Sequence, residues 1–192
     1  MRRKLRREFY NRSTLKVAKE LLGKFLVVNR AGTKLSGKIV ETEAYCGPYD
    51  PASHAYGGMT PRNKIMFGEP GHAYVYFTYG MYYCLNVITE RKGFPAGVLI
   101  RALEPEDGIE IMRKRRKKEK IEELTSGPGK LCQALGIDKT INGADLTGDI
   151  IYIEDRGEKP GKIVSSNRIG IDEGKEKKWR FYIKDNRFVS RR

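Results

Sequence analysis

The chain has 192 residues, 39% of them hydrophobic and 32% charged. At roughly 150 residues per domain it reads as one domain spanning residues 1–192, with enough apolar content for a core, which excludes wholesale disorder. Thirty-eight Lys and Arg against 24 Asp and Glu leave a net charge of +14, a field suited to a polyanion, nucleic acid first and an anionic membrane second.

No apolar run approaches the roughly 18 residues of a membrane span. The basic start MRRKLRR leads into no apolar signal core, so a secreted protein is not expected. Cys46, Cys84 and Cys132 are odd in number and far apart, and read as reduced thiols in an intracellular compartment. With only two histidines, no His-rich metal centre is expected.

In chain order, residues 15–22 form a short amphipathic helix, capped by Ser13 and stopped by Gly23. A strand follows at 25–29, a turn through Ala31, Gly32 and Thr33, and a second strand at 38–45. Residues 46–71, rich in Gly, Pro, Asn, Ser and Asp, read as a long loop, of a length that favours a functional role. Residues 74–89, YVYFTYGMYYCLNVIT, read as a β-hairpin turning at Tyr79-Gly80, and 98–103 as another strand. Pro105 is expected to open a helix that carries the basic run at 113–120 and ends near Leu124. Ser126-Gly-Pro-Gly129 starts another helix, closed by Gly136, and strands follow at 150–153, 163–171 and 179–183. The sum is an α+β fold: a mostly antiparallel, curved sheet, short helices packed around it, and a protruding hairpin.

The basic run at 113–120 is by itself most simply a solvated helix face, or else a phosphate-contacting one. Glu41 and Glu43 lie two apart on a strand, so period two puts them on one face with backbones about 6.6 Å apart. A wet sheet face would explain them; so would a general base, since Ile39 and Tyr45 share that face and make it partly apolar. The hairpin tip is sharper. A bulky Tyr79 at a turn does not easily join its own core: it folds back onto the sheet, meets another protein, or serves as a wedge into a base stack. Tyr74, Tyr76 and Thr78 share a strand face and either pack a core or sandwich a flat ring. Asn86 and Arg101 interrupt apolar strands, and Arg101 needs an acidic partner, for which Glu43 is a candidate.

The segments VETEAYCGPYDPASHAYGG, TPRNKIMF, YVYFTYGMYYCLNV, VLIRALEP and SGPGKLCQALGI occur in order. Together they resemble the alkyladenine (3-methyladenine) DNA glycosylases of the mammalian type, over about residues 10–189. The resemblance implies a monofunctional enzyme of base excision repair. It would flip 3-methyladenine, 7-methylguanine, hypoxanthine or ethenoadenine out of duplex DNA and hydrolyse the N-glycosidic bond, with no lyase step. Matched by motif, Glu43 falls on the general base and Arg101 on a residue helping to hold the water and the flipped nucleotide. Tyr45, His54, Tyr76 and Asn86 fall on the base pocket, Tyr79 on the wedge, and Met81 and Tyr82 on DNA contacts. No metal or organic cofactor is implied. The expected partner is double-stranded DNA carrying damaged purines, met by a monomer without membrane attachment, in the cytoplasm at the nucleoid of a prokaryote or in a eukaryotic nucleus. A catalytically silent nucleic-acid-binding protein would use the same basic surface and wedge. A carbohydrate-cleaving glycosidase using Glu41 and Glu43 would have no need of either.

Overall fold

The computed structural model describes residues 2–190, and its sheet is organised by one long strand. That strand, β3 (Thr33–Tyr45), pairs with β2 (Phe25–Arg30) through its first half and with β6 (Ala96–Pro105) from Gly37 onward. The turn between β2 and β3 holds only Ala31 and Gly32, both at positive φ, so Thr33 already pairs with Arg30. This is the backbone that two-residue hairpins prefer. The hairpin of β4 (Ala73–Thr78) and β5 (Tyr82–Thr89) joins the far side of β6. At the other edge lie β7 (Ile151–Asp155) and the two-residue β1 (Arg3–Lys4), giving the order β1-β7-β2-β3-β6-β5-β4. Where β2 ends, β9 (Arg180–Ile183) takes its place against residues 41–43 of β3, with β8 (Ile163–Ser166) beside it. All these pairs are antiparallel, as expected for an α+β fold.

β6 is buried from Ala96 to Leu103, which explains why its sequence there is apolar but for Arg101: both faces are covered. The first helices are α1 (Arg7–Tyr10) and α2 (Thr14–Glu20), and the Thr42 hydroxyl donates to the Ala18 carbonyl at 2.9 Å, fastening α2 to β3. Ser13 occupies the N-cap of α2 without a side-chain hydrogen bond. Glu90 caps the helix from a distant loop instead, accepting from the Thr14 amide at 2.7 Å and its hydroxyl at 2.9 Å.

The helix expected from Pro105 is the largest departure. Pro105 is the last residue of β6, where a missing N–H is tolerated, and α3 (Ile109–Arg116) begins only after Gly108. Gly108 has φ of 81°, and a Cβ there would meet Leu35 Cδ2 at 2.1 Å. The helix stops at Lys117, itself left-handed at φ 51°, so the basic run is split between helix and loop rather than forming one face to Leu124. Arg115 and Arg116 reach across to α4 (Pro128–Leu135) and the segment before it: Arg115 donates to the Ala134 carbonyl at 3.2 Å and Arg116 to the Leu124 carbonyl at 3.1 Å. Pro128 and Gly136 bound α4 as anticipated. The strand expected over 163–171 ends at Ser166, because Arg168 is drawn into a buried ion pair.

Candidate active site

Glu41, Glu43 and Arg101 meet where the β3–β6 register slips. The pairing skips Val40 on β3 and Arg101 on β6, and such irregularities bend a strand and re-aim a side chain. Arg101 donates through Nε to Glu41 Oε1 at 2.9 Å and through Nη1 to Glu43 Oε2 at 3.2 Å. Glu41 also accepts from Arg180 Nε at 2.7 Å and from the Ser190 amide at 2.7 Å, so it fastens β9 and Ser190 to β3.

Glu43 is held differently. Its Oε2 accepts from the Tyr45 hydroxyl at 2.9 Å as well as from Arg101, and its Oε1 accepts from the Ile169 amide at 2.8 Å. Burial pushes the Glu43 carboxyl above the usual carboxylate range, while Arg101, the Ile169 amide and Tyr45 pull it back. Both glutamates are 0% exposed. A water therefore reaches Glu43 only when a covering group moves.

Tyr45 stands between Glu43 and a cavity of ≈ 400 Å³, within the usual range for small-molecule sites. Tyr45, His54, Tyr74, Tyr76 and Asn86 line it, and Tyr79 reaches its mouth. The His54 ring meets Tyr76 edge-on at 4.4 Å between centroids, and its Nδ1 lies 3.0 Å from the Tyr74 hydroxyl. Burial, with Arg62 nearby, lowers the His54 pKa below its ordinary value, so the ring is neutral near pH 7. Burial, then the Glu43 charge, raises the Tyr45 hydroxyl, which keeps it a proton donor to the carboxylate. Asn86 sits opposite Tyr74 in the hairpin and donates to its carbonyl at 3.3 Å.

The long loop is fixed by its polar residues. Asn63 donates to the His54 carbonyl at 2.8 Å and the Gly58 carbonyl at 2.9 Å, and a small cluster of Ala55, Met66, Tyr74 and Ile88 seats the loop on the hairpin base. The hairpin tip has three residues, Tyr79, Gly80 and Met81, between the pair Thr78–Tyr82. Tyr79 is 78% exposed at φ 52°, a conformation unfavourable for a bulky side chain. Met81 and Tyr82 are exposed beside it.

Residues 8–187 match the model of the methylpurine-DNA glycosylases. The chain belongs to that family. It is 53% identical to a protein of Alkaliphilus oremlandii over 98% of this chain and 100% of the relative. It is 53% identical to one of Methanocella arvoryzae over 98% and 96%, and 54% identical to one of Carboxydothermus hydrogenoformans over 98% and 99%. All three relatives carry the provisional designation 3-methyladenine DNA glycosylase.

Within this glycosylase-family fold, the residues named from sequence fall into three groups. Glu43 and Arg101 meet through an ion pair, and Tyr45, His54, Tyr76 and Asn86 share the cavity wall. Tyr79 stands at the mouth, with Met81 and Tyr82 outside it. Sequence reasoning missed the segment 168–174. Arg168 and Asp50 form a fully buried pair behind Tyr45, and Gly170, Ile171, Asp172 and Glu173 complete the cavity wall. The one available signal was an arginine in a stretch taken for a strand. Arg62, in the TPRN segment, lies over the Tyr76 ring at 5.6 Å. Among the described residues no group of three or more His, Cys, Asp or Glu is placed to hold a metal ion, and no helix is long and apolar enough to cross a membrane.

Proposed function

We propose that the protein is a monofunctional DNA glycosylase that takes a damaged purine from duplex DNA into the aromatic cavity and hydrolyses its bond to C1′. The observation that carries this reading is the buried Glu43 carboxylate, held by Arg101, the Ile169 amide and Tyr45, with Tyr45 itself forming the cavity wall. Glu43 takes a proton from water as the water oxygen bonds to C1′, and the electrons of the broken C1′–N bond leave with the base. The same carboxylate favours the positive charge that develops on the sugar. Arg101 orients Glu43, and its second carboxylate partner, Glu41, leaves Glu43 less than fully neutralised.

Tyr76, His54 and Tyr45 enclose the flipped base, and Asn86 stands where an exocyclic amino group of a normal guanine would meet it. The cavity wall has Asp172 and Glu173 and neither Lys nor Arg, in a chain of net charge +14. That arrangement favours positively charged 3-methyladenine and 7-methylguanine, which leave as neutral bases without added acid. Hypoxanthine and ethenoadenine are the neutral members of the proposed range. Tyr79 occupies the gap left in the stack, with Met81 and Tyr82 on the flanking DNA.

The test incubates the protein with alkylated DNA and with duplexes holding one hypoxanthine or ethenoadenine, cleaves abasic sites with alkali, and identifies released bases by mass. Base release by the wild type, none by Glu43→Gln, and similar duplex binding by both are the expected results. Tight binding without release from any substrate would replace this reading with the silent binding protein.

A further inference from the structure

Arg168 and Asp50 are both buried to 0% side-chain exposure, and neither lines the cavity. Their contact is two-pronged: Arg168 Nη1 to Asp50 Oδ2 at 2.5 Å and Nη2 to Oδ1 at 2.7 Å. The same guanidinium donates to the carbonyls of Ala44 on β3 at 3.0 Å and Gly174 at 3.3 Å, and covers the Tyr45 ring at 4.8 Å. Asp50 also accepts from the amides of Cys46 and Ala52. A Cβ on Gly174 would meet Arg168 Nη2 at 2.8 Å, so the backbone closes directly over the pair. Three separate segments of cavity wall thus converge on one ion pair: the end of β3 with Tyr45, the loop with Ala52 and His54, and the stretch 170–173. The residue after Arg168 is Ile169, whose amide holds Glu43.

A buried ion pair is in general a poor source of stability, and this one leaves Arg168 Nε without a hydrogen-bond partner. Its return is geometric. We propose that the Arg168–Asp50 pair is the positioning device of the active site, fixing the Tyr45 ring and the Ile169 amide against Glu43 while touching no substrate. This rests on the reading of Glu43 as the base. When the pair is broken, segment 168–174 loosens and Glu43 loses the Ile169 N–H. The other titratable and charged groups facing Glu43 are Glu41 and Tyr45 on β3, Arg101 on β6, Tyr76 on β4 and Arg168 itself. Losing a donor to the carboxylate favours its protonated form, so more of the enzyme is inactive at low pH.

Arg168→Lys keeps the charge without the fork, and Asp50→Asn keeps the shape without the charge. Single-turnover base release is followed across pH, with duplex affinity and thermal unfolding measured on the same samples. Both variants are expected to slow release about 10- to 100-fold and to bind duplex as the wild type does, and Arg168→Lys, which keeps the cation facing Glu43, is expected to shift the acidic limb of the rate profile to higher pH. A folded variant with wild-type rate and profile overturns the proposal. So does a loss of activity that only tracks the unfolded fraction in both variants, which would make the pair structural. Glu43→Gln runs alongside: release by that variant removes the base assignment and this proposal with it. An inactive Glu43→Gln beside wild-type behaviour of the pair variants overturns the positioning role alone.

Discussion

The Tyr45 hydroxyl donates to Glu43 Oε2 at 2.9 Å while the Tyr45 ring forms part of the cavity wall. One side chain therefore connects the place where a base can stack to the carboxylate proposed to activate water. The contact between them is a charge-assisted hydrogen bond, the stronger kind, and its acceptor, Glu43, is wholly buried.

Replacing Tyr45 by Phe keeps the ring and removes that donor. A hydrogen bond to a charged group is worth about 1.5 kcal/mol, or roughly tenfold in rate. Tyr45→Phe is expected to lower the rate of base release about tenfold at neutral pH and to move its acidic limb upward, because the Tyr45 hydroxyl holds the Glu43 pKa down. A rate profile superimposable on the wild type would show that the hydroxyl has no part in the chemistry.

Glu43 carries a pH dependence of its own. Its carboxyl is raised by burial, so the fall in activity on acidification is expected above the range of an ordinary glutamate. The sign for stability is opposite to that of a paired surface acid. A carboxyl raised on folding favours the folded state at low pH, and that contribution is lost as pH rises from the unfolded pKa through the folded one. Glu43→Gln removes the cost of the buried charge. Its thermal midpoint at neutral pH should match or exceed that of the wild type, and a clearly lower midpoint would contradict the account.

Tyr79 is exposed and in a left-handed conformation, so its side chain supports no core. Tyr79→Ala is expected to change unfolding free energy by no more than about 0.5 kcal/mol. Release from duplex substrates should drop markedly, since nothing then occupies the gap in the stack. Equal release by both proteins would remove the wedge role.

The basic run divides into two kinds of residue. Arg116 holds the Leu124 carbonyl at 3.1 Å and the Glu123 carbonyl at 3.4 Å, whereas Lys114 is exposed. Arg116→Ala should cost about 1–2 kcal/mol in urea unfolding. Lys114→Ala should cost about 0.5 kcal/mol or less. If Lys114 contacts phosphate, its removal lowers the slope of log affinity against log salt by about one.

The sequence by itself determined what local rules govern. Apolar runs and turn chemistry placed β2, the β4–β5 hairpin, β6 and residues 38–45 of β3, though Thr33, read as part of the turn, already pairs with Arg30. Its ordered motifs identified the family that the match over residues 8–187 establishes. Local rules failed where long-range contacts compete with them. Pro105 stayed in β6 because β3 supplies its partner strand, and Glu90 displaced Ser13 as the cap of α2 from 76 residues away. The active site belongs mostly to this second kind. The slipped β3–β6 register aims Arg101 between two glutamates, and the Arg168–Asp50 pair joins residues 118 positions apart. Period and propensity extend only a few residues along a chain. The burial that raises Glu43, and the donors that pull it back, come from strands and loops that only folding brings together.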